Sequence, residues 1–263
     1  MTVPDRITLM GCPVDRITLD QALERIANAM ADRGALRHTA LNTAKLVKMR
    51  NDSDLGRDVV TSDMVTADGM GIVLAARLLG RRLPGRVTGI ALMEETLALC
   101  ARRGLRPYLL GARPAVLAAA IARLRARHPA LRLAGAHDGY FRPQDEPEIV
   151  AAIIRSGADC LFVALPTPMK ERFLARNRDR FLAPFVMGVG GAFDVLAGQV
   201  TRAPGWMQRA GLEWLFRTLQ EPRRMWRRYL STNTIFAGWL IAALICRVAG
   251  VAYAPATARR RAA

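Results

Sequence analysis

Short apolar runs trade places with helix-period segments along most of residues 37–189, and this alternation is the strongest constraint on the fold. Arg37–Leu41, Met64–Ala67, Pro107–Leu110, Leu131–Gly135, Asp159–Leu165 and Phe185–Val189 read as buried strands. Leu19–Asp32, Thr43–Arg50, Gly71–Leu79, Ile90–Arg103, Pro114–Arg127 and Pro147–Ser156 read as helices. Pro114 suits a first helical turn, where its missing N–H costs nothing. The pattern predicts an α/β fold, a Rossmann-like and mostly parallel sheet flanked by helices on both faces. Ligands bind such sheets beyond the C-terminal strand ends. The turns at those ends carry Asn42, Asp68-Gly69, Gly111, Asp138-Gly139, Pro166-Thr167 and Gly190-Gly191.

Strands stop near Arg202. The division expected is an α/β core over 1–201, a basic and apolar helical appendage over 202–253, and a disordered tail over 254–263. Trp206–Thr218 and Arg223–Thr232 read as helices broken near Pro222. Ile235–Cys246 then runs twelve residues without charge before Arg247. A spanning helix needs about twenty apolar residues. With flanking arginines and Trp226, Tyr229 and Trp239, the segment suits an anionic membrane surface better than a span; a buried soluble helix is the other reading.

Charge supports an anionic partner. The 263 residues hold 39 basic against 22 acidic side chains, a net +17. From Gln199 onward eleven arginines face only Glu213 and Glu221, so +9 lies in the last quarter of the chain. Cys12, Cys100, Cys160 and Cys246 form no CxxC pair and no zinc-ligand spacing, a reduced, cytosolic pattern. No signal peptide is apparent at the N-terminus.

Several residues could carry chemistry. Asp68, in VTADGMG between a strand and a helix, is placed either to act as a general base or to cap the helix. Gly190 and Gly191, in VGGAFD, permit close approach of a phosphate, or simply form a tight strand-to-helix turn. Asp194 follows them and could orient the loop, bind a ligand or cap a helix. Gly111 in LLGARP precedes a helix start that could face an anion. Asn42, with Lys45 behind it, either reaches the crevice or caps the next helix. Arg86, in GRVTG, either binds an anion or is solvated. The DSD triplet at Asp52 and Asp54 has the form of a metal clamp, but its place between helix and strand reads as solvated loop. The three histidines are too scattered to suggest a metal.

The order of these segments carries more than any one of them. ADGMG, RVTG, LLGARP, HPALRLAGAHDGYF, LFVALPTPMKE, GVGGAFDVLAGQVTRAP and EWLFRTLQEPRRMWRRY resemble, in sequence, the WecG/TagA/CpsF glycosyltransferases, glycosyltransferase family 26. The resemblance covers roughly residues 5 to 230. It implies an inverting, metal-independent and cofactor-free transfer from a UDP-sugar donor to a polyprenyl-diphosphate-linked sugar acceptor. The setting implied is exopolysaccharide or other cell-surface polysaccharide assembly, peripherally at the cytoplasmic face of the bacterial inner membrane. It matches Asp68 to the family's base, and Asn42, Arg86 and Asp194 to its pocket. It matches Arg217, Arg224 and Arg227 to appendage arginines that close over the site.

Two departures stand out. Ala40 replaces a common threonine, and Lys170 replaces a glutamine in Pro166-Thr167-Pro168-Met169-Lys170-Glu171. An ammonium at 170 predicts a preference for a more anionic donor or acceptor. The donor class stays open among glucosyl, N-acetylmannosaminyl and uronosyl types, with Ala and Arg richness leaning towards glucosyl. A homo-oligomer is also open. The rival readings are a basic nucleic-acid binder, which lacks an RNA-binding aromatic motif, an oxidoreductase, which lacks GxGxxG after the first strand, and a non-catalytic, membrane-docked partner of an assembly complex.

Overall fold

The computed structural model describes residues 5–220, 222–251 and 253, leaving aside the side chains at 209, 217, 223–225 and 227–229. Strands β1 (Arg6–Leu9) and β2 (Cys12–Asp15) form an antiparallel hairpin. Its two-residue turn, Met10-Gly11, has positive φ at both positions, 48° and 76°, which matches the right-handed twist of the paired strands. Neither strand was expected, because each run is only four residues long. Helix α1 (Leu19–Ala31) follows behind a capping box of Thr18 and Gln21.

The main sheet has six strands, all parallel: β3 (Leu36–Leu41), β4 (Met64–Ala67), β5 (Pro107–Gly111), β6 (Gly135–His137), β7 (Cys160–Ala164) and β8 (Phe185–Gly188). Their spatial order is β4-β3-β8-β7-β5-β6. Strands β5 and β7 are buried at every residue, as a sheet covered on both faces requires. The expected α/β class is therefore present. Leu131–Gly135 is a correction: the strand is only Gly135–His137. Leu131 N–H instead closes a turn onto His128 O, and its side chain joins the apolar layer beneath.

Helices α2 (Thr43–Lys48), α3 (Ser53–Val60), α4 (Met70–Leu78), α5 (Gly89–Arg103), α6 (Pro114–Arg127), α7 (Glu146–Arg155), α8 (Met169–Arg176) and α9 (Ala192–Leu196) complete the core. One face of the sheet packs on α1, α5, α6 and α9 through Leu92, Leu97, Phe162, Phe185 and Phe193. The other packs on α7 and α8 through Ile149, Ile153, Leu161 and Phe173. A third cluster gathers the hairpin, α2, α3 and α4 around the β4 edge. The expected solvated loop at Asp52–Asp54 is instead the start of α3, with Asp52 as its cap, accepting from Asp54 N (3.2 Å) and Leu55 N (3.0 Å). All four cysteines are free thiols, and Cys100 and Cys160 are buried as core residues.

Beyond the sheet come α10 (Gly205–Arg209), α11 (Glu213–Gln220) and α12 (Pro222–Val248). The expected helix Trp206–Thr218 is two pieces, because Gly211 adopts φ 74° between them. The two expected segments after Pro222 are one helix, since proline at its first position removes no bond the helix needs. Leu230–Val248 is long and apolar enough to cross a membrane. It is docked on the core at several points. Thr43 Oγ1 donates to Asn233 at 3.3 Å, Phe236 and Ala243 are buried, Arg50 lies over the Trp239 ring, and Arg247 donates to Leu78 O at 2.6 Å. The tail expected over 254–263 lies outside the described residues.

Candidate active site

The chain runs from β3 outward to β4, then crosses over and returns to β3 from the other side through β7 and β8. Helix α2, after β3, and helix α9, after β8, pack on opposite faces. A crevice therefore opens at the C-terminal ends of β3 and β8, the usual ligand position in such sheets.

Register places the first two site residues. Leu41 pairs with Ala67, so Asn42 and Asp68 lie side by side one residue past the strand ends. Asn42 Oδ1 accepts from Lys45 N at 3.0 Å and caps α2, while its Nδ2 donates to Asp68 Oδ2 at 3.2 Å. The cap reading of Asn42 thus holds, and its amide nitrogen faces Asp68 at the crevice. Asp68 does not cap the helix that follows it; Gly69 stands at that position without a side-chain bond. Its Oδ1 instead accepts from Gly89 N at 2.9 Å, at the N-terminus of α5. The carboxylate is oriented by two donors from different elements, with lone pairs left over for a substrate hydroxyl.

Next to this pair is a buried cationic cluster. Lys170 Nζ lies 3.0 Å and Lys45 Nζ 3.8 Å from Glu171 Oε1, which also accepts from Thr167 Oγ1 at 3.2 Å. Burial pushes the Glu171 carboxyl up, but Lys170 and Lys45 outweigh that and hold it below its ordinary range. Burial, with Lys170 beside it, pulls Lys45 down to about 8 against the opposing pull of Glu171, Asp58 and Asp68. The Asp58 carboxyl is raised, chiefly by burial. Glu171 Oε2 is buried without a hydrogen-bond partner. The Lys170 stem crosses Gly188, where a Cβ would come within 2.7 Å of Lys170 Cδ and Cε.

Other expected residues are spread along the same edge. Gly190 has φ 53° and open space where a side chain would project, and Gly191 starts α9. Asp194 lies within α9, and its backbone oxygen accepts from Gln199 and Val200. Gly111 stands two strands away from β8, where the close approach of Ala164 demands glycine: φ is 123°, and a Cβ would lie 2.5 Å from Ala164 O. Arg86 is not a solvated loop residue. Its side chain is 14% exposed, pairs with Glu213 and donates to Gln208 O at 3.0 Å. The side chains of Arg217, Arg224 and Arg227 lie outside the described residues.

Three participants escaped sequence reasoning: Gly89, whose N–H holds Asp68; Glu171, which gathers two lysines; and Glu213, which holds Arg86. Only Glu171 left a local trace, as the acid next to Lys170 in PTPMKE. Among the described residues no three His, Cys, Asp or Glu side chains gather as a metal site.

Fold and crevice together define a doubly wound α/β enzyme with an oriented carboxylate at its switch point. The WecG/TagA/CpsF family model of glycosyl transferases matches residues 7–249, and the chain belongs to that family; it is a glycosyltransferase. It is similar to an N-acetylglucosaminyldiphosphoundecaprenol N-acetyl-beta-D-mannosaminyltransferase of Bacillus subtilis (strain 168), 36% identical over 180 residues, or 68% of this chain and 69% of that protein. A protein of the same name from Bacillus spizizenii is 37% identical over 171 residues, 65% of each chain.

Proposed function

We propose that the enzyme transfers a sugar from a UDP-sugar to a polyprenyl-diphosphate-linked sugar, with inversion and without a metal, in cell-surface polysaccharide assembly. The observation that carries this reading is Asp68, fixed between Asn42 Nδ2 and Gly89 N at the crevice. Asp68 takes the proton of the acceptor hydroxyl as that oxygen attacks the anomeric carbon and the bond to UDP breaks. General-base help of this kind is worth about 10² to 10⁴ in rate. Negative charge on the departing diphosphate is met by Lys45, Lys170 and Arg86, joined by Arg217, Arg224 and Arg227 of the appendage. Gly190, Gly191 and Asp194 line the donor side. The named relatives carry N-acetylmannosaminyl, which puts that donor ahead of glucosyl and uronosyl types.

The enzyme works peripherally, on the cytoplasmic face of an anionic membrane. Leu230, Ile241, Ile245 and Val248 are exposed and share one stripe of α12, opposite the buried Phe236 and Ala243. Exposed Leu74 and Leu78 on α4 extend the apolar surface. A helix docked from Asn233 to Arg247 on its own core favours lying on the surface over spanning it. Each basic residue near an anionic leaflet adds roughly 1 kcal/mol.

The test is UDP release from a panel of UDP-sugars with a polyprenyl-diphosphate N-acetylglucosamine acceptor on anionic liposomes, wild type beside Asp68→Asn. Acceptor-dependent release that falls at least a hundredfold in the variant supports the reading. Equal release by both proteins removes Asp68 as the base. Including Lys170→Gln and a UDP-uronate in the same panel tests the anionic preference expected of Lys170; an unchanged donor order rejects it.

A further inference from the structure

Arg86 is already engaged. One arm of its guanidinium meets Glu213 Oε2, at the start of α11, and the other donates to Gln208 O in α10. The second oxygen of Glu213 faces another arginine, Arg202, at 3.7 Å from Nε. That distance makes an ion pair but not a hydrogen bond, and Arg202 Nε is buried without an acceptor. Arg202 is otherwise anchored, its Nη1 donating to Glu94 on α5 at 3.2 Å. Helix α5 is the same helix whose first N–H holds Asp68. Glu213 therefore stands between two arginines, tight to the one at the crevice and loose to the one behind it.

We propose that Glu213 is an exchangeable counter-ion: it holds Arg86 while the crevice is empty and passes to Arg202 when a nucleoside diphosphate takes Arg86. This rests on the UDP-sugar reading above. The exchange suits the geometry on three counts. A diphosphate offers Arg86 a planar, bidentate partner at least as good as a carboxylate. The displaced carboxylate needs to move only about an ångström to reach hydrogen-bond distance of Arg202 Nε. The move satisfies the buried Arg202 Nε–H, which otherwise has no acceptor, offsetting the lost Arg86 pair. Because Glu213 opens α11, donor binding in this scheme also shifts the base of the appendage. Glu213 and Arg202 act through Arg86 and are positioning residues.

The two residues carry opposite expectations. Glu213→Gln removes the competitor for Arg86 and is expected to tighten UDP binding about tenfold. Arg202→Gln removes the receiver, leaves Glu213 on Arg86, and is expected to weaken UDP binding by a similar factor. A merely structural role weakens binding in both. Calorimetric titration of UDP into the full chain decides, with wild type and Arg86→Ala alongside. Tighter binding in the first variant and weaker in the second supports the exchange. Weaker or unchanged binding in both, with wild type binding and Arg86→Ala not, overturns the exchange and leaves the donor reading intact. No UDP binding by wild type overturns the donor reading and the exchange with it.

Discussion

Asn42 Nδ2 stands 3.2 Å from Asp68 Oδ2, so the residue that caps α2 also orients the carboxylate at the end of the neighbouring strand. One side chain serves stability through its oxygen and, in the mechanism proposed above, chemistry through its nitrogen. The two roles can be separated, because a hydroxyl can cap a helix but cannot span both contacts.

Asn42→Ser is expected to keep the cap and stay within about 0.5 kcal/mol of wild-type stability. Turnover is expected to fall about tenfold as the carboxylate loses a guide. Asn42→Ala should lose turnover and, in addition, about 1 kcal/mol of stability. Urea denaturation and UDP release on the same preparations check both. A serine variant with full turnover would confine Asn42 to capping.

Two glycines should respond differently to the same added methyl group. At Gly111 a Cβ meets Ala164 backbone at 2.5 Å on a backbone of φ 123°, and neither can give. Gly111→Ala is expected to cost about 3 kcal/mol or more. At Gly188 the Cβ meets the flexible stem of Lys170, which can swing aside. Gly188→Ala should fold within about 1 kcal/mol of wild type while binding UDP more weakly, because the Lys170 ammonium leaves its place. Thermal melts and UDP titration of the pair check the contrast.

His38 makes the fold sensitive to acid. Its Nε2 lies 2.9 Å from Thr66 Oγ1, its Nδ1 has no partner, and burial, helped by Lys45, brings its pKa down to about 3. The unfolded chain binds a proton near pH 6.5 that the folded chain refuses until about pH 3. Stability from this residue is complete above pH 6.5 and is lost as pH falls below it. At pH 5 the loss is about 2 kcal/mol. Denaturation at pH 7 and pH 5 should show it in wild type and not in His38→Gln.

Lys45 sets a limit at the alkaline end. Burial first, and Lys170 second, lower it to about 8, so it is mostly cationic at pH 7 and mostly neutral at pH 9. A diphosphate site that uses this charge should weaken across that interval by about fivefold. Lys45→Arg, which stays charged, should flatten the profile. UDP affinity measured from pH 7 to pH 9 checks the difference, and a flat wild-type profile would place Lys45 outside the site.

The sheet was legible because parallel strands buried on both faces, such as β5 and β7, read as unbroken apolar runs. Asp68 and Asn42 were legible because turns at strand ends are short and place their residues in the crevice. The hairpin was hidden by its brevity, and α3 by a DSD triplet that looks like loop but is a cap. What holds Arg86 could not be read from spacing, because Glu213 is 127 residues away along the chain. Nor could Gly89, whose contribution is a backbone N–H that any residue but proline would supply. Sequence shows side-chain types and local order; it does not show which distant carboxylate an arginine will meet.

The hairpin has a consequence at the border of the sheet. Asp15, held by Arg6 at 2.6 Å and Arg25 at 3.7 Å, accepts the N–H of Val65 at 2.7 Å. One outward donor of β4, the Val65 N–H, is thus already taken and β2 packs over that strand, while the opposite border, β6, is only three residues long. Among the described residues both margins of the main sheet are poor templates for an added strand. Strand addition at those two margins of the main sheet is therefore disfavoured, and contact between copies there would rest on side-chain surfaces. One such surface is the exposed apolar stripe of α12, the same surface proposed to meet lipid, so self-association through it would compete with membrane docking.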